Sequence, residues 1–482
     1  MATTHPFLER PPGLFIGGEW IADGERFPSL NPADGAVLAE VIQASGEQID
    51  RGVAAARAAQ PAWAGTAPAR RQRILLRLAD LIAGDIDQLA RLETLDNGKP
   101  LAEASGGDVP LAAEHFRYYA GWVNKAGGRT VPVSLPATFN YTLREPVGVV
   151  AAIVPWNFPF LIAAWKVAPA LAMGNAVILK PAEQTPLSAL RLAELAREAG
   201  VPGGVFNVLT GDGRVGAALV EHPGVDKVSF TGSTEVGKKI VAASASNLKR
   251  VSLELGGKGA TLVFADALLK RAARGVQAGT FYNQGQLCTA CSRVLVERSV
   301  IDEFTQLLAA NARALKVGPG LEEGVQMGPL VSDEQRARVL GYIERGVADG
   351  ATLVTGGGPL DRPGNFVEPT VFRADDQSSV IAREEIFGPV AVVIPFESDE
   401  EALALANDTV YGLTAGIWTE NLGRAHRLAA GLQAGTVWIN TYNVFDAASP
   451  FGGYRQSGWG REMGEEAIDL YTEVKSIWVS TR

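Results

Sequence analysis

From Val149 onward the chain alternates short apolar, β-branched runs with amphipathic stretches at helical spacing, which is the pattern of a parallel α/β architecture. Val149–Val154 predicts a strand and Phe160–Leu171 a helix; Ala176–Leu179 predicts a strand and Leu187–Ala199 a helix stopped by Gly200. Phe206–Leu209, Lys227–Phe230 and Val251–Leu255 predict further strands, each followed by a glycine-bearing loop. A second set begins near Ala260 and runs through Arg293–Val296, Val390–Phe396 and Gly435–Asn440, so two doubly wound α/β domains are expected. Gly127–Arg144 alternates apolar residues around Pro132 and Pro136, as a projecting hairpin would, and Thr472–Ser480 alternates again. Two such detached strands suggest an oligomerisation arm or a small extra sheet.

Pro146–Trp165 is twenty residues without a charge and imitates a membrane span. Pro155, Asn157 and Pro159 interrupt it, and its β-branched residues cluster in the first half, so strand, turn and helix are expected instead. The 482 residues exceed one ordinary core, and 47% hydrophobic with 20% charged residues are globular proportions. A net charge of −9 without blocks of like charge recommends neither a nucleic acid nor an anionic membrane as partner. Met1–Gly13 has no apolar stretch and does not read as a secretory signal. With only Cys288 and Cys291 there is no disulfide framework, and a cytoplasmic setting is expected.

Three short patterns suggest chemistry that their context does not support. Gly211, Gly213 and Gly216 have dinucleotide-fingerprint spacing after a strand, but deep in the α/β region, where a helix-starting turn is the plainer reading. Gly232–Lys238 nearly completes a phosphate-binding loop, yet Lys239 stands where a magnesium-binding hydroxyl is needed. Its glycines still suit a loop whose backbone amides face a phosphate. Cys288 and Cys291 form a CxxC, but His5, His115, His222 and His426 are scattered, so no metal site is expected. No serine lies in a GxSxG elbow.

Six segments occur in order: PWNFP (155–159), FTGSTEVG (230–237), ELGGK (254–258), FYNQGQLC (281–288), EEIFGP (384–389) and PFGGYRQSGWGRE (450–462). Over nearly its whole length the chain thereby resembles the aldehyde dehydrogenase superfamily. The resemblance implies two Rossmann-like domains: an NAD-binding domain from 1–127 and 147–256, and a catalytic domain from 257–456. A bridging and oligomerisation region from 128–146 and 457–482 completes a homodimer or homotetramer.

The same resemblance makes Cys288 the nucleophile that attacks an aldehyde carbonyl to form a thiohemiacetal. Asn157 and the backbone N–H of Cys288 become the oxyanion donors. Glu254 becomes the base that activates water against the thioester, with Lys166 and Glu462 relaying its proton. Glu254 also argues for a carboxylic acid product over the acyl-coenzyme A of acylating relatives, and Cys288, Asn157 and Glu254 together argue against a non-enzymatic relative. For the cofactor, Lys180 and Glu183 match the residues that hold the adenine ribose, and a carboxylate there favours NAD over NADP. Ser233, with Gly232 in its loop, is assigned to the pyrophosphate, and Glu385 and Phe387 to the nicotinamide ribose and ring. Pro155, Trp156 and Gly256 are the remaining candidate cofactor contacts. Phe158, Trp165, Phe445 and Phe451 match positions lining the substrate tunnel, with Trp122 and Trp459 as further candidates. Such an aromatic wall suits apolar, aromatic or amino-cationic aldehydes.

Overall fold

The computed structural model describes residues 5–9 and 13–482; the rest of the N-terminal segment read above lies outside the described residues. Two large sheets dominate. In the first, eight strands run in the order Gly458–Trp459, Arg250–Glu254, Lys227–Thr231, Val149–Ile153, Ala176–Lys180, Phe206–Val208, Leu14–Ile16 and Glu19–Ile21. The five central strands are mutually parallel and the edges antiparallel. Val149–Ile153, Ala176–Lys180 and Lys227–Thr231 are buried at every position, because helices cover both faces of a parallel sheet. That double burial is why Val149–Ile153 and Ala176–Leu179 read as continuous apolar runs, while Lys227–Thr231 buries Lys227, Ser229 and Thr231 as well.

The second sheet has seven strands, ordered Thr352–Thr355, Thr370–Arg373, Val390–Phe396, Arg293–Glu297, Ala260–Val263, Thr414–Trp418 and Thr436–Ile439. All its pairs are parallel except the one made by Thr352–Thr355. The chain passes between the sheets through Leu255–Gly259 alone before its second strand set begins. Val149–Ile153 is flanked by Ala176–Lys180 on one side and Lys227–Thr231 on the other, so the winding reverses there. Open α/β sheets bind ligands in the crevice at such a reversal, beyond the carboxyl ends of the strands.

The uncharged Pro146–Trp165 stretch is the strand Val149–Ile153, a turn, and the helix Pro159–Ala172. Among the described residues no helix is long and apolar enough to cross a membrane. Pro159 occupies the first helical turn, where a missing N–H costs nothing, and all fourteen residues of this helix are buried. The two detached strands pair with each other: Thr472–Ser480 lies antiparallel to Thr138–Pro146 across nine residue pairs, and Thr130–Val131 adds a third strand. The C-terminal segment differs from expectation in one respect. Gly458–Trp459 is an edge strand of the first sheet, so the small sheet takes only Thr472–Ser480 from 457–482.

Candidate active site

The carboxyl end of the first sheet supplies one wall of a cleft of about 290 Å³. Pro155, Trp156 and Asn157 follow Val149–Ile153; Thr231, Gly232 and Ser233 follow Lys227–Thr231; Leu255 and Gly256 follow Arg250–Glu254. The second half of the chain closes it with Cys288, Glu334, Gln335, Arg338, Glu385 and Phe387. Residues from five of the six sequence segments therefore meet at one opening, and Cys288 is in it.

Cys288 is partly exposed, just before the strand Arg293–Glu297. Burial pushes its thiol well above the usual cysteine range, and the carboxylates of Glu385 and Glu254 push it further. Gly257 lets the loop carrying Glu254 press against the one carrying Cys288: a Cβ there would stand 2.5 Å from the Cys288 carbonyl oxygen. Gly256 answers to Glu385 in the same way, with a Cβ 2.2 Å from its Oε2. Cys291, by contrast, is fully buried, its Sγ is 2.6 Å from Thr261 Oγ1, and burial raises its thiol to about 12. A thiol so buried packs as a small apolar residue and is a poor nucleophile.

Asn157 is buried, and its Nδ2 donates to the Gln286 carbonyl at 2.9 Å. One amide hydrogen is thus used to fix the orientation of the group, and the second is left for another acceptor. Glu254 is buried with neither carboxylate oxygen hydrogen-bonded among the described residues. Burial raises its carboxyl well above the usual range, and the like charge of Glu462 adds to that, against the pull of Lys166 and Arg461. A buried carboxyl raised in this way is, once ionised, a stronger base toward water than a free carboxylate.

Lys166 and Glu462 form an ion pair that is buried rather than at the surface. Around them lies a polar chain absent from the sequence reading. Ser229 Oγ lies 3.3 Å from Lys166 Nζ, 3.2 Å from Glu462 Oε1 and 3.2 Å from the Tyr471 hydroxyl. Ser252 continues the chain to the buried Lys227, whose amine burial lowers to about 7. A lysine on an otherwise apolar strand gives no sequence signal of this role.

The cofactor candidates fall in two places. Gly232 and Ser233 stand at the start of the helix Thr234–Ser244, which Ser233 caps by accepting from the Val236 N–H at 3.3 Å, so a helix N-terminus, the end that favours an anion, lies at the cleft. Glu385 is held there by the Gly257 N–H at 3.0 Å, and burial lifts its carboxyl to about 7. Phe387 packs edge-on to Trp156 at 5.1 Å and adopts φ +59°, a strained value for a side-chain-bearing residue. Gln335 holds its carbonyl at 2.6 Å, and Arg338 the Glu385 carbonyl at 3.0 Å; the sequence reading missed both. Lys180 and Glu183 lie outside this cleft. They pair at 3.4 Å, and Glu183 faces an adjoining cavity of about 670 Å³ that shares Glu334 with the first. Neither cavity includes Gly211, Gly213 or Gly216; Gly213 opens a helix capped by Asp212.

Of the aromatic candidates, Trp165, Phe445 and Phe451 form one cluster, with centroids 5.4 Å apart for Trp165–Phe451, 5.6 Å for Phe445–Phe451 and 6.2 Å for Trp165–Phe445. Phe158 instead stacks on Tyr282 at 6.3 Å. Trp459 lies half-exposed on the edge strand, donating to the Val251 carbonyl, and Trp122 packs on Tyr118. Neither tryptophan joins the cluster.

The sequence profile of the aldehyde dehydrogenase family matches residues 20–477. The chain belongs to that family. It is 48% identical over 487 residues to the phenylacetaldehyde dehydrogenase of Pseudomonas fluorescens, covering 98% of this chain and 97% of that one. The NAD+ complex of an aldehyde dehydrogenase from Bacillus cereus superposes with a TM-score of 0.97 at 49% identity, covering 99% and 98% of the two chains. An indole-3-acetaldehyde dehydrogenase from P. syringae, solved as a mutant with NAD+ and IAA, superposes at 0.95 with 45% identity, covering 97% and 96%.

Proposed function

We propose that the chain oxidises aldehydes to carboxylic acids with NAD as cofactor, through a covalent thioester on Cys288. The unpartnered, buried Glu254 carboxyl beside the Cys288 loop carries this reading. Cys288 gives its thiol proton to solvent water, its Sγ adds to the carbonyl carbon, and the alkoxide that forms is held by the free Asn157 amide hydrogen and the Cys288 N–H. NAD, when bound, accepts the hydride that this alkoxide expels. Gly232, Ser233, Glu385 and Phe387 would hold it in the cleft, and Lys180 with Glu183 at the adjoining cavity. Glu254 then removes a proton from water as the water attacks the thioester, and Glu462 with Lys166 passes that proton on. Gly452 gives the carboxylate its place, since a Cβ there would stand 2.8 Å from Glu254 Oε1.

The ring cluster of Trp165, Phe445 and Phe451 offers an apolar wall, and an aromatic or apolar aldehyde is our reading over an amino-cationic one. The names of the two aryl-acetaldehyde relatives point the same way. Glu183 disfavours a 2′-phosphate, so NAD is preferred over NADP. Residues 1–127 and 147–256 serve the cofactor and 257–456 the nucleophile, and the free thiols of Cys288 and Cys291 suit the cytoplasm.

The deciding experiment follows NADH absorbance with phenylacetaldehyde, an aliphatic aldehyde and betaine aldehyde, each with NAD and NADP. Cys288→Ala is expected to abolish turnover with all of them. Glu254→Gln is expected to keep the initial NADH burst but slow the steady state by roughly 10²-fold or more. Turnover by Cys288→Ala, faster reaction with NADP, or a requirement for coenzyme A would each reject the corresponding part.

A further inference from the structure

Asn157 is held at both ends, and the holding of its backbone end has a source outside the catalytic segments. Its carbonyl oxygen accepts from Lys99 Nζ at 3.1 Å and from Asn283 Nδ2 at 2.7 Å. Asn97 Nδ2 donates to the neighbouring Trp156 carbonyl at 2.8 Å and reaches that of Asn157 at 3.5 Å. Gly98 between them takes φ +94°, which turns the chain so that both side chains face the same loop. Lys99 is fully buried, is paired with Asp108, and lies 3.7 Å from Glu93. Its ammonium also sits 4.3 Å from the Phe158 ring centroid. A buried lysine carries three donors, and this one donates to the Asp108 carboxylate and to the Asn157 carbonyl, with Glu93 near it as a charge.

The other end of Asn157 is tied to Gln286, three residues after Asn283 and two before Cys288. Asn283 and Gln284 take φ +45° and +58°, so this loop keeps a costly conformation that its contacts must hold. Lys99, Asn283 and Gln286 thus fix the amide of Asn157 relative to the loop bearing the nucleophile. We propose that Lys99 is a positioning residue for the reaction: it fixes the Asn157 carbonyl so that the free amide hydrogen points to where the oxyanion forms. This rests on reading Asn157 as the oxyanion donor. Lys99 would act through Asn157 alone and would make no contact with substrate or cofactor; neither cleft includes it.

The test is a double-mutant cycle between Lys99→Met and Asn157→Ala, read as the pre-steady-state NADH burst rate at saturating NAD. Because Lys99→Met strands the Asp108 carboxylate, the cycle is repeated with Lys99→Met combined with Asp108→Asn, which removes the orphaned charge. Lys99→Met is expected to slow the burst by roughly tenfold to a hundredfold, the scale of a small misplacement, with the dissociation constant of NAD unchanged. In the Asn157→Ala background the same substitution should cost less than about twofold, since the group it positions is gone. A wild-type burst rate in Lys99→Met, additive losses, or a loss appearing only in NAD affinity would overturn the proposal while leaving Asn157 in its role. An unchanged burst in Asn157→Ala would overturn the oxyanion reading and this proposal with it.

Discussion

Burial favours the protonated forms of both Glu254 and Cys288, and the Glu254 carboxylate pushes the Cys288 thiol further up. For Glu254 the sign is definite. Burial and the Glu462 carboxylate both favour the neutral acid, so the ionised base gathers only well above the ~4.3 of free glutamate. Thioester decay in a single turnover is therefore expected to rise with pH along a limb far above that value. Glu462→Gln removes the like charge while Lys166 stays, which lowers the Glu254 carboxyl, and the limb should move to lower pH. A limb that stays put or moves upward would show that Glu462 does not bear on the base. Asn157 illustrates the other use of burial, since its amide is oriented by Gln286 before any ligand arrives.

Among the elements, the loop bearing Glu385 and Phe387 depends on a helix that touches it from outside. Gln335, in the helix Asp333–Ala348, holds the Phe387 carbonyl, and the strained φ there would relax if the bond were lost. Gln335→Ala is expected to raise the KM for NAD at least about threefold while leaving the single-turnover hydrolysis rate unchanged, as steady-state and quench measurements together would show. The elements themselves were legible in the sequence. Leu187–Ala199, Val390–Phe396 and Thr472–Ser480 have the bounds that periodicity and caps indicate. The site was legible through contiguous motifs, where unusual residues such as Asn157 and Glu254 interrupt apolar runs. Lys99, Lys227, Ser229 and Gln335 were not. Lysine, serine and glutamine are ordinary surface residues, and only tertiary packing shows that these four are buried against the site. Trp122 and Trp459 pack apart from the ring cluster, and an aromatic residue looks the same in sequence whether it lines a site or packs at an edge.

For the whole molecule, the small sheet is the exposed feature that the two large ones are not. Leu135, Phe139, Leu143, Val474, Trp478 and Val479 are exposed on or beside its strands, an apolar surface that a monomer has little reason to keep. A second copy of the chain is the proposed occupant. Light scattering after size exclusion should give a dimer or tetramer for the full chain and a smaller assembly for a chain ending at Tyr471. A full-length monomer would reject this assignment.

The narrow passage at Leu255–Gly259 means that oxidation is a property of neither half alone. A cut between Gly257 and Lys258 would leave Asn157 and Glu254 on one fragment and Cys288 on the other. The second fragment would also carry Gly458–Trp459, an edge strand of the first sheet, and Glu462, whose carboxylate reaches Ser229 on that sheet. Halves expressed separately should be silent and regain NADH production when mixed, with that returning edge strand steering the reunion, so the enzyme is a natural candidate for a split reporter. Activity from either half alone would contradict this.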